Sequence, residues 1–159
     1  MRTPQWIKKL GGHAGELYVA AELSKRGIAN ALLPENFSDD DIIFGNKGGE
    51  VLGYIQVKSC HPDRSNSWRL DVKNEEWVNA QKNEFIVLVW LGSPSKNESP
   101  RFWVATKQEV GKHLMKDPAH GTNNTERRIQ LQHKNPVLVI HKKWENNWSL
   151  LENFLKDKK

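Results

Sequence analysis

The sequence has few cysteines, no long apolar run and no export signal. Cys60 is the only cysteine among 159 residues, so no disulfide can form within the chain. The longest apolar stretch, residues 85–92, has the length of a strand and falls far short of the roughly 20 residues that cross a bilayer. The opening residues, MRTPQWIKKLGG, lack the apolar segment of a secretory signal. We therefore expect a soluble cytoplasmic protein with no membrane segment.

Acidic residues are outnumbered by basic ones. The chain has 24 lysines and arginines against 19 aspartates and glutamates, which gives a formal net charge of +5. A basic surplus favours polyanionic partners such as nucleic acid. Seven tryptophans and a hydrophobic fraction of 37% argue against disorder. The length fits one domain, residues 1–159.

Apolar periodicity predicts an α/β domain built around a mixed sheet. Segments 92–100 and 116–128 are rich in glycine, proline, serine and asparagine, and we predict loops there. Helices are predicted at residues 13–26, 74–81, 107–115 and 146–156. Strands are predicted at residues 30–34, 41–44, 51–60, 67–72, 84–92, 101–106 and 136–141.

A lysine interrupts one of these predicted strands, in the stretch YIQVKSC. Because side chains alternate along a strand, Gln56 and Lys58 share one face. Burying an unpaired ammonium group is costly, so Lys58 needs an anion or a polar cavity nearby. The turn at 45–50 predicts a hairpin that brings Asp41, at the head of the preceding strand, to the Gln56–Lys58 end of the sheet. Glu16 on the first predicted helix is a further acid for this site.

Carboxylate and amide oxygens are the ligands that Mg²⁺ prefers. Such a metal activates water next to a phosphodiester, and a neighbouring lysine stabilises the developing charge. Asp41 follows two further aspartates, and Asp40 is its main competitor as the metal ligand.

These residues resemble the motifs of the PD-(D/E)xK nuclease superfamily, which includes restriction endonucleases. The family has an acid on the first helix, an acid at the start of the second strand and (D/E)xK on the third strand. "GE" in HAGELYVAAEL matches the helix acid at Glu16, and DDDIIF matches the strand acid at Asp41. IQVKS matches the third-strand motif at Gln56 and Lys58, in a QxK variant, since the family usually has Asp or Glu where this chain has Gln56.

The resemblance implies a restriction-endonuclease-like fold with helices flanking a central mixed sheet. Its core has the order α-β-β-β-α-β over about residues 13–91, and residues 92–159 form an extension with a C-terminal helix. It also implies a Mg²⁺-dependent endonuclease, with Mn²⁺ as a substitute, that cuts DNA as a homodimer. Asp41, Gln56 and Glu16 would hold the metal, and Lys58 would position or activate the attacking water.

Two other interpretations stay open. A glutamine oxygen ligates a metal but adds no negative charge, so the chain is alternatively a catalytically silent nucleic-acid-binding or adaptor protein on the same fold. In the third interpretation, tryptophans with polar neighbours, Trp6, Trp68 and Trp77, form a surface for bases or for a protein partner.

Overall fold

The structure is a computed structural model that describes residues 3–61, 63, 66–70, 76–116, 127–134 and 136–157. Within these residues the helices are α1 (Gln5–Lys25), α2 (Lys107–Leu114) and α3 (Ser149–Lys156). The strands are β1 (Ala29–Leu32), β2 (Ile42–Gly45), β3 (Leu52–Cys60), β4 (Ser67–Leu70), β5 (Glu84–Trp90), β6 (Arg101–Thr106) and β7 (Arg127–Gln130).

Five strands form the central sheet in the order β1-β2-β3-β5-β6. β3 and β5 are parallel, and the other neighbours are antiparallel. Strand β5 is buried on both faces, as its continuous apolar run predicts. One face of the sheet packs against α1 and α3, and the other packs against α2, β4 and β7. The predicted mixed sheet flanked by helices is therefore confirmed.

The predicted hairpin is also present. β2 and β3 are antiparallel, with Ile42 opposite Ile55, and the turn between them contains Gly49 in the left-handed region at φ +68°. Glycine adopts this backbone conformation without the steric cost that other residues meet. The hairpin places the start of β2 beside the middle of β3.

Helix α1 begins eight residues earlier than the sequence predicts. Its buried positions, Gly15, Val19 and Leu23, repeat every four residues and form the stripe that faces the sheet. Before this stripe the helix carries two glycines, Gly11 and Gly12, which weaken helix propensity and hide its first turns from the sequence pattern. No helix among the described residues is long and apolar enough to cross a membrane.

Two predicted elements are wrong. In the predicted helix at 74–81, the described residues 76–79 form turns. The described residues between β3 and β5 therefore contain strand β4 and turns in place of a helix. The predicted strand at 136–141 begins as a 3₁₀ helix, Pro136–Leu138, and continues as a single bridge at Val139.

One strand was not predicted from the sequence. β7 begins in the last two residues of the predicted loop 116–128 and extends two residues beyond it, and it pairs with β4 in a second, two-stranded sheet. Its sequence, RRIQ, contains a single apolar residue, too few to show alternation. We call this pair the β4–β7 ribbon.

Candidate active site

Asp41 lies where β2 separates from β3. Its backbone N–H donates to the carbonyl of Ile55 at 2.8 Å, just outside the regular pairing of β2 with β3, which begins at Ile42 and Ile55. The next amide of β3 on this side, that of Val57, donates instead to Oδ2 of Asp41 at 2.7 Å. The carboxylate thus replaces a backbone acceptor at the fork between the strands, and this contact fixes the orientation of the side chain.

Glu16 reaches this fork because α1 approaches β3 closely. The contact is made by Gly15, where an added Cβ would overlap Oγ of Ser59. Glycine therefore lets the helix backbone rest on the strand, and the next residue, Glu16, lies near the point where β2 begins. There the carboxyl groups of Glu16 and Asp41 line one cleft and lie close enough for each to influence the pKa of the other.

The environment of the two carboxyl groups makes their charged forms less favourable. Burial raises the pKa of Glu16, and the Asp41 carboxylate raises it further, while His13 opposes the shift. Burial also raises the pKa of Asp41, against the Val57 amide, Lys58 and Glu16, which lower it. Because burial makes the charged form of each acid less favourable, a bound cation would lower the free energy of the ionised pair.

Asp40, the competing aspartate, has a different partner. Its Oδ1 accepts a hydrogen bond from Nζ of Lys107 at 3.0 Å, and the Lys107 side chain is only 5% exposed. Glu84 lies 3.8 Å from the same ammonium group. Asp40 therefore balances a buried lysine at the start of α2, whereas Asp41 faces Glu16.

Lys58 and Gln56 approach from the opposite face of the sheet. Lys58 is half-buried and close enough to lower the pKa of Asp41 by its positive charge. It forms no hydrogen bond or ion pair with the residues that the structure describes, so its ammonium group is available to a ligand. Gln56 is half-buried beside Asp41 in the register and likewise makes no side-chain hydrogen bond within the described ranges.

A cleft of about 840 Å³ opens over the acid pair. Glu16, Asp41 and His13 contribute to its lining, and its outer part includes Trp6 and Leu10 of α1. Gln56 and Lys58 are not among its lining residues. The structure thus brings Asp41 within electrostatic reach of both Glu16 and Lys58, and it places Gln56 one residue beyond Ile55, the last residue of β3 that pairs with β2, without a contact to the acids.

The described residues contain no group of three or more His, Cys, Asp or Glu side chains that could hold a metal ion. The assignment of Asp41, Glu16 and Gln56 as metal ligands therefore stays a prediction from the sequence.

Two of the three tryptophans predicted to form a partner surface are buried. Trp68 is 1% exposed and Trp77 is 8% exposed, so both are core residues. Trp6 is 64% exposed at the rim of the cleft. A partner surface built from all three tryptophans does not exist in this fold.

Sequence reasoning missed three contributors to the site. His13 lies one turn before Glu16, with Nδ1 4.0 Å from Oε2, a spacing of three that the sequence does display. Gly15 carries a weaker signal, a glycine inside an amphipathic helix. Lys107 gives no signal, because its partner Asp40 is remote in sequence.

No protein-family model matches this chain, and no curated protein sequence matches it. The solved structure of a bacterial homing endonuclease, I-Ssp6803I, has a similar fold, with a TM-score of 0.53 and 16% sequence identity. The similarity covers 91% of this chain and 92% of that chain. It therefore extends well beyond residues 13–91, where the sequence motifs lie, and shows a shared fold over nearly the whole chain.

Proposed function

We propose that this protein is a metal-dependent endonuclease that hydrolyses DNA phosphodiester bonds, with a QxK form of the PD-(D/E)xK site. The observation that carries the proposal is that Glu16 and Asp41 line one cleft at the strand fork, with Lys58 close enough to lower the pKa of Asp41. The fold shared with an endonuclease supports the reaction class.

The acid pair fits a hard divalent cation. Burial raises the pKa values of both carboxyl groups, so ionising the two together costs free energy, and a bound cation would offset that cost. Glu16 and Asp41 would hold Mg²⁺, or Mn²⁺ in its place, and Gln56 would add a neutral oxygen. The chemistry that such an ion supplies is activation of water and stabilisation of negative charge on phosphorus.

Lys58 has the charge and the position to act on the same phosphate. Its ammonium group donates hydrogen bonds but accepts none, so it orients the attacking water through the water oxygen or neutralises charge on the phosphate oxygens. In the reaction, the water oxygen bonds to phosphorus, the bond to one ester oxygen breaks, and that oxygen leaves with a proton.

A nuclease assay on several DNA forms tests this function. Supercoiled plasmid, linear duplex, branched duplex and single strands are incubated with Mg²⁺, with Mn²⁺ and with a chelator, beside a Glu16→Gln variant. We expect metal-dependent cleavage of at least one form by the wild type and loss of that cleavage in the variant. A wild type that binds DNA but cuts none of the forms would instead be the silent binding protein.

We further propose that the active species is a homodimer, because two copies present one site to each strand of a duplex. Light scattering of the purified protein with and without duplex DNA measures this directly. A protein that stays monomeric while it produces double-strand breaks contradicts the dimer and leaves the cleavage reaction intact.

A further inference from the structure

Helix α1 has a second apolar face, which points to solvent. Its inner stripe, Gly15, Val19 and Leu23, packs on the sheet. Leu10 and Leu17 lie on the opposite side of the helix and are 58% and 48% exposed. A helix that is apolar on both sides is usually covered on both. The outer face of α1 is therefore an unfilled contact surface among the described residues.

The apolar residues of this face have the spacing of a helix–helix contact. Ile7, Leu10, Ala14, Leu17 and Ala21 follow one another at intervals of three and four residues, as the a and d positions of a heptad repeat do. Leu10, Leu17 and Ala21 are exposed, and Ile7 and Ala14 are half-buried. We call these five residues the outer seam of α1.

The outer seam lies in a stretch with almost no charge. From residue 10 to residue 21 the single Asp, Glu, Lys or Arg is Glu16, and its side chain lines the cleft. A solvent-facing helix side usually carries charged residues, and a helix that lies on a membrane surface carries lysines and arginines beside its apolar face. Exposed apolar patches of this kind mark contacts with proteins. The partner of the seam is therefore an apolar protein face.

The sizes of the seam residues fit a second copy of α1. In an antiparallel pair with its midpoint between residues 15 and 16, Ala14 lies opposite the partner's Leu17, and Leu10 lies opposite the partner's Ala21. Ile7 lies opposite the partner's Ser24, the next position of the same repeat. Every large side chain then meets a small one, so the two helices interdigitate and approach closely.

Other occupants fit this seam less well. A parallel pair of α1 helices would place leucine against leucine and alanine against alanine, which leaves voids at the alanine layers. The longest segment of the chain outside the described residues, 117–126, contains no large apolar side chain that would fill the seam. An unrelated partner gives no reason for sizes that complement each other about a single midpoint, whereas a two-fold interface requires it.

The antiparallel pair also places both clefts on one side of the dimer. His13 and Glu16 line the cleft on one flank of the seam. The two-fold axis of an antiparallel pair keeps the equivalent flanks of both helices on the same side. Because the axis passes between residues 15 and 16, the two copies of Glu16 lie at the same level along the helix pair. Two clefts that open together suit a duplex, whose strands are also related by two-fold axes.

We propose that the outer seam of α1 is the interface of a two-fold homodimer, in which α1 pairs antiparallel with α1 of a second copy. The purpose of this dimer, one site for each strand of a duplex, rests on the proposed function. The interface itself rests on the exposure, the spacing and the complementary sizes of the seam residues.

The first test measures association without DNA or metal. Sedimentation velocity of the full chain over a series of concentrations gives the dissociation constant of the dimer. Leu17→Arg puts a charge into two symmetric contacts and should weaken the dimer by about a hundredfold. The matched control is Leu52→Arg, at a leucine that is 40% exposed on the face of β3 opposite α1. This control should keep the wild-type dissociation constant.

A size exchange tests the antiparallel register. Ala14→Leu alone places two leucines in the same layer and should weaken the dimer, because an overfilled contact is forced apart. The double variant Ala14→Leu/Leu17→Ala exchanges the large and the small side chain of that layer. It should therefore recover most of the affinity that Ala14→Leu loses. Unchanged circular dichroism spectra show that the variants are folded.

The outcomes separate this interface from the proposed reaction. A wild type that stays monomeric at every concentration overturns the interface, whether or not the protein cuts DNA. A dimer that survives Leu17→Arg overturns it as well, because the copies then meet elsewhere. A double variant that associates no better than Ala14→Leu overturns the antiparallel register. A dimer that depends on the seam in a protein that never cleaves DNA supports the interface and rejects the reaction.

Discussion

The carboxylate of Asp41 accepts the backbone N–H of Val57 at 2.7 Å, in the place where a regular ladder would offer a carbonyl. This contact ends the pairing of β2 with β3 and holds the acid in one orientation. A replacement at this position must keep an acceptor, because a buried amide without a partner costs about 1–3 kcal/mol. Asparagine keeps an oxygen that accepts this hydrogen bond and removes only the negative charge of Asp41.

The first prediction separates Asp41 from Asp40 by metal-linked stability. In wild type, Mg²⁺ or Mn²⁺ should raise the thermal unfolding midpoint, because a ligand that binds the folded state stabilises it. Asp41→Asn should abolish the metal-induced rise. Asp40→Asn should lower the stability by about 1–3 kcal/mol, since it weakens the partner of the buried Lys107, and should keep the rise. If the metal-induced rise survives in Asp41→Asn and disappears in Asp40→Asn, the metal ligand is Asp40 and the assignment to Asp41 is wrong.

The second prediction concerns pH. The folded state holds the pKa values of Glu16 and Asp41 above their ordinary values of 4.5 and 3.8, so it binds more protons than the unfolded chain in that range. The contribution of these groups to stability is therefore greatest below their unfolded pKa values and falls as pH rises through the folded ones. Urea unfolding of the metal-free protein should show Glu16→Gln gaining stability relative to wild type as pH rises above the ordinary value of 4.5. A difference between the two proteins that is constant with pH would contradict the raised pKa of Glu16.

The third prediction tests the approach of α1 to β3. Gly15→Ala forces a Cβ against Ser59 and should destabilise the protein by about 1–3 kcal/mol and displace Glu16. The matched control is Gly12→Ala in the same helix, where an added Cβ meets nothing within 4 Å. That control should gain up to about 1 kcal/mol from helix propensity. Equal effects of the two substitutions in chemical unfolding would mean that the close approach is not required.

The fourth prediction concerns the amide in the motif. Gln56 lies beside Asp41 in the register and makes no side-chain hydrogen bond with the described residues. If its oxygen reaches the metal, Gln56→Glu adds a charged ligand and should tighten Mg²⁺ binding, measured by calorimetry, by about tenfold. Asn83→Asp, at the far end of β5, is a control for a general gain of negative charge. Unchanged affinity in Gln56→Glu would remove this residue from the metal site.

Much of the central sheet is predictable from sequence, and the reason is visible in particular residues. The apolar run at residues 85–89 can only be a strand buried on both faces, and the glycine-rich turn after β2 fixes the hairpin. That hairpin and the period of two along β3 are enough to place Asp41 near Lys58. Local chemistry determines these features, so local sequence reveals them.

The remainder depends on contacts between distant segments. Asp40 pairs with Lys107, which lies 67 positions away in the sequence. β7 forms a strand because it pairs with β4, where Trp68 lies opposite Ile129. The residues 136–141 show the reverse, since an apolar composition typical of a strand forms a 3₁₀ helix and a single bridge. No local pattern carries this information.

The most direct measurement of the central claim is single-turnover DNA cleavage by wild type and Lys58→Ala with saturating Mg²⁺. Lys58 forms no ion pair among the described residues, so the variant should unfold at the wild-type temperature, and Lys47→Ala provides a charge control remote from the site. Loss of a positioned charge should slow cleavage by about 10²–10³-fold in Lys58→Ala and leave Lys47→Ala unchanged. A folded Lys58→Ala protein that cleaves as fast as wild type would show that this lysine does not act in the reaction.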